Sequence, residues 1–288
     1  MANLGKVLVT GATGNTGSIL VPALREAGVD VRALVRDESK AQPLEEIGVE
    51  IVIGDLDRPE TIAPALEGVD KIYLLTWNGP TQEQQAENVI NVAAKAGDPH
   101  IVRHSMWGSE KSRIIQQGYR VEQAVKSSGL PWTLLKPTFF MQNTMMAAQS
   151  IASDGVIYWD MDDGKLGMID LRDGADSAFA VLTGSGHEGK RYILTGPQAI
   201  SFHEVAATFS KVLGKDVKYV KVPHEAGVQS MIGMGFPEWI AQGYGELNEG
   251  FSENFANRVA DNVETLTGHP ARSFEQFARD FAQIFVPA

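Results

Sequence analysis

The chain has 288 residues, enough for one large domain or one domain plus a small lobe, and its 43% apolar content can supply a full core. A net charge of −11 argues against a surface that tracks nucleic-acid phosphates, and the absence of cysteine excludes disulfides, thiolate metal sites and cysteine nucleophiles. Met1-Ala2-Asn3-Leu4-Gly5 leads straight into the first predicted strand, and no apolar run reaches membrane-spanning length, so a cytoplasmic monomer or homodimer with no signal peptide, membrane or nucleic-acid partner is expected.

Residues 6–10 (Lys-Val-Leu-Val-Thr) read as a buried strand, and Gly11-Ala12-Thr13-Gly14-Asn15-Thr16-Gly17 as a tight turn opening a helix over 17–27, with Pro22 inside it and Gly28 as its cap. The spacing is G-x-x-G-x-x-G. Gly11 lets the chain bend, Gly14 clears room for phosphates and Gly17 lets helix and strand pack closely. The free N–H groups of the helix start then face an anion. A strand before the glycines and a helix after them are the context that makes this a nucleotide-binding signal. The alternative is a plain glycine-rich strand–helix turn.

Strands are then expected at 31–35, 50–54, 71–75, 100–104 and 132–136. Between them, helices are expected after a capping box at Asp57-Arg58-Pro59-Glu60, over 82–96 and near 119–127. Alternation at this spacing implies parallel βαβ units: an α/β fold of the Rossmann type, a doubly wound parallel sheet. Beyond Pro137 the rhythm breaks. An apolar, Met-rich helix is expected over 139–152, short strands over 156–168, and a helix capped by Asp173 over 174–183. A strand at 191–194 rejoins the sheet. Ser201 and Glu204 form a second capping box for a helix to 213, a short strand follows at 218–220, and the rest is mainly helical. The expected domains are a nucleotide-binding one over 1–140 plus about 170–195, and a smaller, mainly helical lobe over 141–169 plus 196–288.

An acid about 20 residues past the glycines marks NAD-binding sheets. Here Val35-Arg36 stands there. Arg36 can grip a 2′-phosphate bidentately, and Lys40 can add a second cation, which favours NADP(H) over NAD(H); the alternative is a solvated loop arginine. Asp55 can accept from the adenine amino group or simply stabilise its turn. Thr76 to Pro80 should pass over the cofactor, with Trp77 as a pocket wall or as packing. Ser105 ends the fifth strand and Tyr119 follows fourteen residues later. The pair is similar to the catalytic Ser and Tyr of short-chain dehydrogenases/reductases, but their Tyr-x-x-x-Lys is broken because Gln123 stands four residues past Tyr119. An unassisted Tyr, with a pKa near ~10, can donate a proton yet is a poor base. Reduction of an acceptor that needs little acid help, such as a quinone, is therefore expected; Tyr119 as a plain helix-surface residue is the alternative. The six histidines show no metal spacing, so no metal site is expected.

Together these stretches resemble the NmrA-like family of atypical short-chain dehydrogenases/reductases, a group that includes quinone and triphenylmethane-dye reductases. The resemblance rests on Val9 to Gly17, Leu34-Val35-Arg36-Asp37, Gly54-Asp55-Leu56, Gly129-Leu130-Pro131-Trp132-Thr133 through Lys136-Pro137, Phe139-Phe140-Met141-Gln142-Asn143, and Gly268-His269-Pro270. It spans nearly the whole chain. Lys136 stands where the family usually has Arg, and Gly118 where many relatives carry His or Lys. The resemblance implies that Gly11, Thr13, Gly14, Asn15 and Thr16 touch the pyrophosphate. Arg36 and Lys40 meet the 2′-phosphate, Asp55 and Leu56 the adenine, and Thr76, Pro137 and Phe139 the nicotinamide end. Trp77, Met106, Trp107, Phe140 and Trp159 are the expected pocket for a small, apolar, aromatic substrate. The family holds both NADPH-dependent reductases of quinones, dyes and imines and non-catalytic NADP sensors that bind other proteins. The expected function is the first, with the second as its alternative.

Overall fold

The computed structural model describes residues 4–287. The leading Met1-Ala2-Asn3, expected to run straight into the first strand, lies outside the described residues, as does Ala288. Val7, Leu8 and Val9 of β1 (Lys6–Thr10) are wholly buried, as a strand covered on both faces must be. The same rhythm continues through α1 (Gly17–Glu26), β2 (Asp30–Val35), α2 (Gln42–Glu45), β3 (Glu50–Ile53), α3 (Pro59–Ile62), β4 (Lys71–Leu74), α4 (Gln82–Ala93), β5 (His100–His104), α5 (Arg113–Ser127) and β6 (Trp132–Pro137). Then come α6 (Ala148–Asp154), β7 (Val156–Trp159), α7 (Leu171–Thr183), β8 (Lys190–Leu194), α8 (Phe202–Leu213), β9 (Lys218–Lys221), α9 (His224–Gly233), α10 (Glu238–Ser252), α11 (Asn262–Thr267) and α12 (Phe274–Asp280).

Seven strands form one sheet in the order β3-β2-β1-β4-β5-β6-β8, while β7 and β9 pair separately. Neighbours from β3 to β6 run parallel. The strand order reverses between β1 and β4, the switch point at which open α/β sheets take ligands. This is the expected Rossmann-type α/β fold. By packing, the chain divides into two units, Met1–Met106 with Gln117–Lys136 and Gly174–Tyr192, and Trp107–Gln116 with Pro137–Asp173 and Ile193–Ala288. The first holds β1 to β5, β6 as far as Lys136 and β8 as far as Tyr192, with a core on one side that includes Leu8, Ile72, Leu74, Ile101, Val121, Val125 and Leu134. The second has an aromatic core. Trp159 stacks on Phe202 at 5.1 Å, Phe139 meets both edge-on, and Phe209 lies 4.5 Å from Phe285.

Several local expectations are corrected. The Asp57 capping box does not form. The N-cap of α3 is Arg58, without a side-chain cap, because the Asp57 carboxylate takes the Gln85 amide at 3.1 Å while its own N–H is held by Asp55. Asp173 does not open its helix either. α7 starts at Leu171, Asp170 accepts from Arg172 N at 2.9 Å, and Asp173 is paired with Arg272. The helix expected over 139–152 is a 3-10 turn, Met141–Ala147, followed by α6. Phe140 is extended and bridges Ile169, through bonds to Phe139 O and from Met141 N, so no helix can begin before Met141. Over 156–168 the one strand is β7, with Leu166 in a single bridge to Ile200. Finally, α5 begins at Arg113, before the expected start near 119, because Glu246 accepts from Arg113 N at 2.8 Å.

Candidate active site

The glycine turn forms because Gly11 adopts φ +71°, left-handed backbone that penalises any Cβ, and Gly14 N–H closes the turn on Gly11 O at 3.0 Å. A Cβ on Gly17 would lie 2.3 Å from Gly11 O and 2.5 Å from Ala12 O, so α1 can approach β1 this closely only with glycine there. Gly11, Thr13 and Asn15 are exposed and Gly14 half-buried. The first turn of α1 carries no acid, which leaves its positive end for an anion. Thr16 differs. It is buried, and its side chain hydrogen-bonds to Tyr73, whose hydroxyl meets His104 Nδ1 at 2.5 Å. Burial raises the Tyr73 pKa and, with the Arg103 charge adding to it, pushes His104 down to about 3. The pair is neutral and acts as a rigid foundation under the turn.

The carboxyl ends of the strands carry the other cofactor candidates. Register pairs Thr10 with Leu34, so Arg36 emerges beside the glycine turn. Arg36 is exposed and makes no ion pair among the described residues. Its neighbour Asp37 is committed to Ser39, whose hydroxyl and N–H hold the carboxyl below the usual range. Lys40 is exposed in the short turn that follows. Asp55 is half-buried and steadied by Thr61 and by the Asp57 N–H, and Leu56 is half-buried beside it. Thr76, just beyond β4, is buried with a hydroxyl that has no partner. Such an orphan costs about 1–3 kcal/mol unless something takes the bond. Trp77 is 53% exposed, and a Cβ on Gly79 would lie 2.2 Å from its ring, so the indole can rest where it does because position 79 carries no side chain. The open cradle, the unpaired guanidinium and the orphan hydroxyl fit a dinucleotide phosphate.

Ser105 and Tyr119 are linked through Glu122 and Lys136, to which the sequence reading assigned no site role beyond noting Lys136 where Arg is usual. Ser105 Oγ donates to Glu122 Oε1 at 2.5 Å. The same oxygen receives Lys136 Nζ at 2.5 Å, and that ammonium lies 4.3 Å from the centre of the Tyr119 ring. Ser105, Glu122 and Lys136 are each at most 4% exposed, and Tyr119 is half-buried. The signal in the sequence was a lone cation, Lys136, ending the apolar run Thr133-Leu134-Leu135. A charge in a buried strand is expensive unless it is paired.

The remaining candidates fall in the second unit, except Met106, which is half-buried in the first. Pro137 O accepts from Trp107 N at 2.8 Å. Trp107 stacks on Phe255 at 5.6 Å with Arg258 over its ring. Phe139 and Trp159 share the aromatic core around Phe202 and Phe251, and Phe140 is half-buried. Among the described residues, no three or more His, Cys, Asp or Glu group to hold a metal, and no helix is long and apolar enough to cross a membrane.

Residues 4–278 match the model of the NmrA-like family. An NAD(P)H azoreductase from Xenophilus azovorans is 41% identical over 282 residues, covering 97% of this chain and 99% of that protein. An NADPH-dependent quinone oxidoreductase from Escherichia coli, solved with NADPH, superposes with a TM-score of 0.88 at 27% identity, over 96% of this chain and 99% of that one. The triphenylmethane reductase of Citrobacter sp., solved with NADP(H), gives 0.84 at 27% identity, over 95% and 99%.

Proposed function

The chain belongs to the NmrA-like family, and from that premise we propose that it is an NADPH-dependent reductase of a small, conjugated aromatic acceptor of the quinone, azo-dye or imine type. The observation that carries the cofactor half is the unpaired, exposed Arg36 beside an open glycine cradle, with the Thr76 hydroxyl orphaned on the same carboxyl edge. The relatives' named activities support the acceptor class, and favour turnover over the NADP(H)-sensing alternative. A cytoplasmic place of action, where NADPH is drawn on, belongs to the same proposal.

When bound, the nicotinamide supplies the hydride. The turn from Gly11 to Thr16 holds the pyrophosphate, Gly14 by its bare Cα because its N–H is spent on Gly11 O, with Arg36 and Lys40 on the 2′-phosphate and Asp55 and Leu56 on the adenine. Thr76 orients the nicotinamide end, and Ser105 and Tyr119 serve the acceptor. Trp77 and Met106, in the same unit, supply apolar surface. Catalysis rests mainly on placing donor against acceptor.

The test is NADPH oxidation against a panel of quinones, azo dyes, triphenylmethane dyes, imines and aliphatic carbonyls, followed by the loss of its near-ultraviolet absorbance. Turnover of flat conjugated acceptors, with little of aliphatic carbonyls, is expected. NADPH binding without oxidation by any of them would overturn the reductase reading in favour of the sensor.

A further inference from the structure

Position 123 holds an exposed glutamine, one helical turn from Tyr119. No lysine on α5 therefore reaches that ring in the way a Tyr-x-x-x-Lys helix arranges. A lysine reaches it from elsewhere. Lys136 leaves β6 at a position 1% exposed, beside Leu134 and Leu135, which have no exposure at all. Its ammonium sits 4.3 Å from the Tyr119 ring centre, within the range at which a cation acts on a ring face. Removal of the Tyr119 proton would delocalise negative charge into that same ring.

We propose that Lys136, reaching across from β6, stabilises Tyr119 as the anion left after proton donation, and so replaces from a neighbouring strand the charge that position 123 lacks. Lys136 is a positioning residue in this scheme, because it acts through Tyr119 and Glu122. The inference rests on the reductase reading given above.

Three observations support it. First, the charge is held in place. Glu122 Oε1 receives both Lys136 Nζ and Ser105 Oγ at 2.5 Å, so one carboxylate oxygen fixes the ammonium and the serine together. Second, the local charges do not cancel. Lys136 is acted on by Glu122 and Lys126 of α5 and by Arg191 of β8, and Glu122 also acts on Arg103 of β5, while Arg120 pairs with Glu83 at 2.7 Å. Among these groups Glu122 is shared by the cations Lys136 and Arg103, which favours a further anion beside them. Third, Lys136 is held in a costly place. Burial lowers its pKa and the Glu122 carboxylate works against that fall. Packing alone would be served as well by an apolar side chain of that length.

The balance of the step is simple. The acceptor takes a hydride, with its two electrons, from the reduced cofactor at one end of a C=O, C=N or N=N bond. The π bond opens, and the other end takes the Tyr119 hydroxyl proton. The Tyr119 phenolate then recovers a proton from water. The sum is acceptor plus NADPH plus one proton, giving the two-electron-reduced acceptor and NADP⁺.

The test is an ultraviolet titration of tyrosinate in the cofactor-free protein, taken as the difference between the wild type and Tyr119→Phe. Tyr119 should ionise at least one pH unit below the ordinary value of about 10. Lys136→Met should raise that midpoint by at least one unit and lower kcat at least tenfold with KM little changed, while Lys136→Arg should keep both near wild type. If Lys136→Met does not fold, Lys136→Gln against Lys136→Arg makes the same comparison. An unshifted Tyr119, or one that ionises alike with and without the lysine charge, overturns the proposal even if acceptors are reduced. A shifted Tyr119 in a protein that reduces no acceptor upholds the electrostatic pairing and instead defeats the reductase reading.

Discussion

Two alanines in the same turn should part company. At Gly17 the added Cβ meets backbone, 2.3 Å from Gly11 O, 2.5 Å from Ala12 O and 2.6 Å from Ala12 Cα, where ordinary contact begins at 3.4 Å. The turn and α1 must separate by about 1 Å, since a carbonyl cannot swing aside as a side-chain end can. Overpacking of this kind costs about 1–3 kcal/mol, and the backbone contacts put Gly17→Ala at the upper end. At Gly14 the Cβ meets only Gly11 O, at 3.2 Å, and the backbone is not left-handed. Gly14→Ala should therefore leave stability within about 1 kcal/mol of wild type, helped by the reduced freedom of its unfolded chain. Yet its methyl group occupies the half-buried position where the pyrophosphate must approach. Urea denaturation and NADPH calorimetry on both variants give the answer. Gly17→Ala should lose stability and affinity together, while Gly14→Ala should lose affinity, at least tenfold, with its urea midpoint nearly unmoved. Wild-type NADPH affinity in Gly14→Ala, or a wild-type urea midpoint in Gly17→Ala, would refute the account of the turn.

Further outcomes follow from the charged groups. Arg36→Ala should weaken NADPH binding about tenfold to a hundredfold, the worth of charge-assisted bonds to a phosphate, and barely alter NADH; equal losses would remove Arg36 from the 2′-phosphate. The unfolded chain protonates His104 near pH 6.5, whereas the folded one keeps it neutral down to about 3. Stability owed to neutral His104 is thus complete above pH 6.5 and is lost as pH falls towards 3, at about 1.4 kcal/mol per unit. His104→Gln should flatten the decline in urea midpoint between neutral pH and pH ~5, and an unchanged slope would exclude His104 as its source. Arg272→Ala removes the guanidinium from the Asp173 carboxylate while leaving it the backbone N–H of position 272; the carboxylate has no exposure, and burial already raises its pKa. The expected cost is about 3 kcal/mol near neutrality. It should shrink in acid, because a carboxyl raised above its unfolded value takes up protons on folding; a pH-independent loss would point to packing instead.

What could be read beforehand follows the range of the forces involved. The strands of the sheet, the glycine turn and the Ser201 capping box are local. Ser201 Oγ accepts from Glu204 N, and the Glu204 carboxylate reaches back to Ser201 N at 2.8 Å, all within four residues. Asp57 carries the same local pattern, but Gln85, on another helix, claims its carboxylate. The start of α5 depends on Glu246, 133 residues away, and Asp173 is claimed by Arg272 at a separation of 99. No local rule anticipates such partners. The candidate site divides in the same way. Gly11, Arg36 and Thr76 are placed by parallel register, which alternating strands and helices imply. The Glu122–Lys136 pair needed the packing of α5 on β6, which no spacing along the chain announces.

The indole of Trp77 lying over Gly79 also constrains how this loop can diverge among descendants. Any side chain at position 79 meets the ring as it stands, and the exposed indole must swing aside to admit it. A substitution there therefore moves the tryptophan rather than the backbone beneath it, and a smaller residue at 77 removes the need. The two positions can change in either order, but only glycine at 79 leaves the ring where it now lies as the repertoire of acceptors shifts.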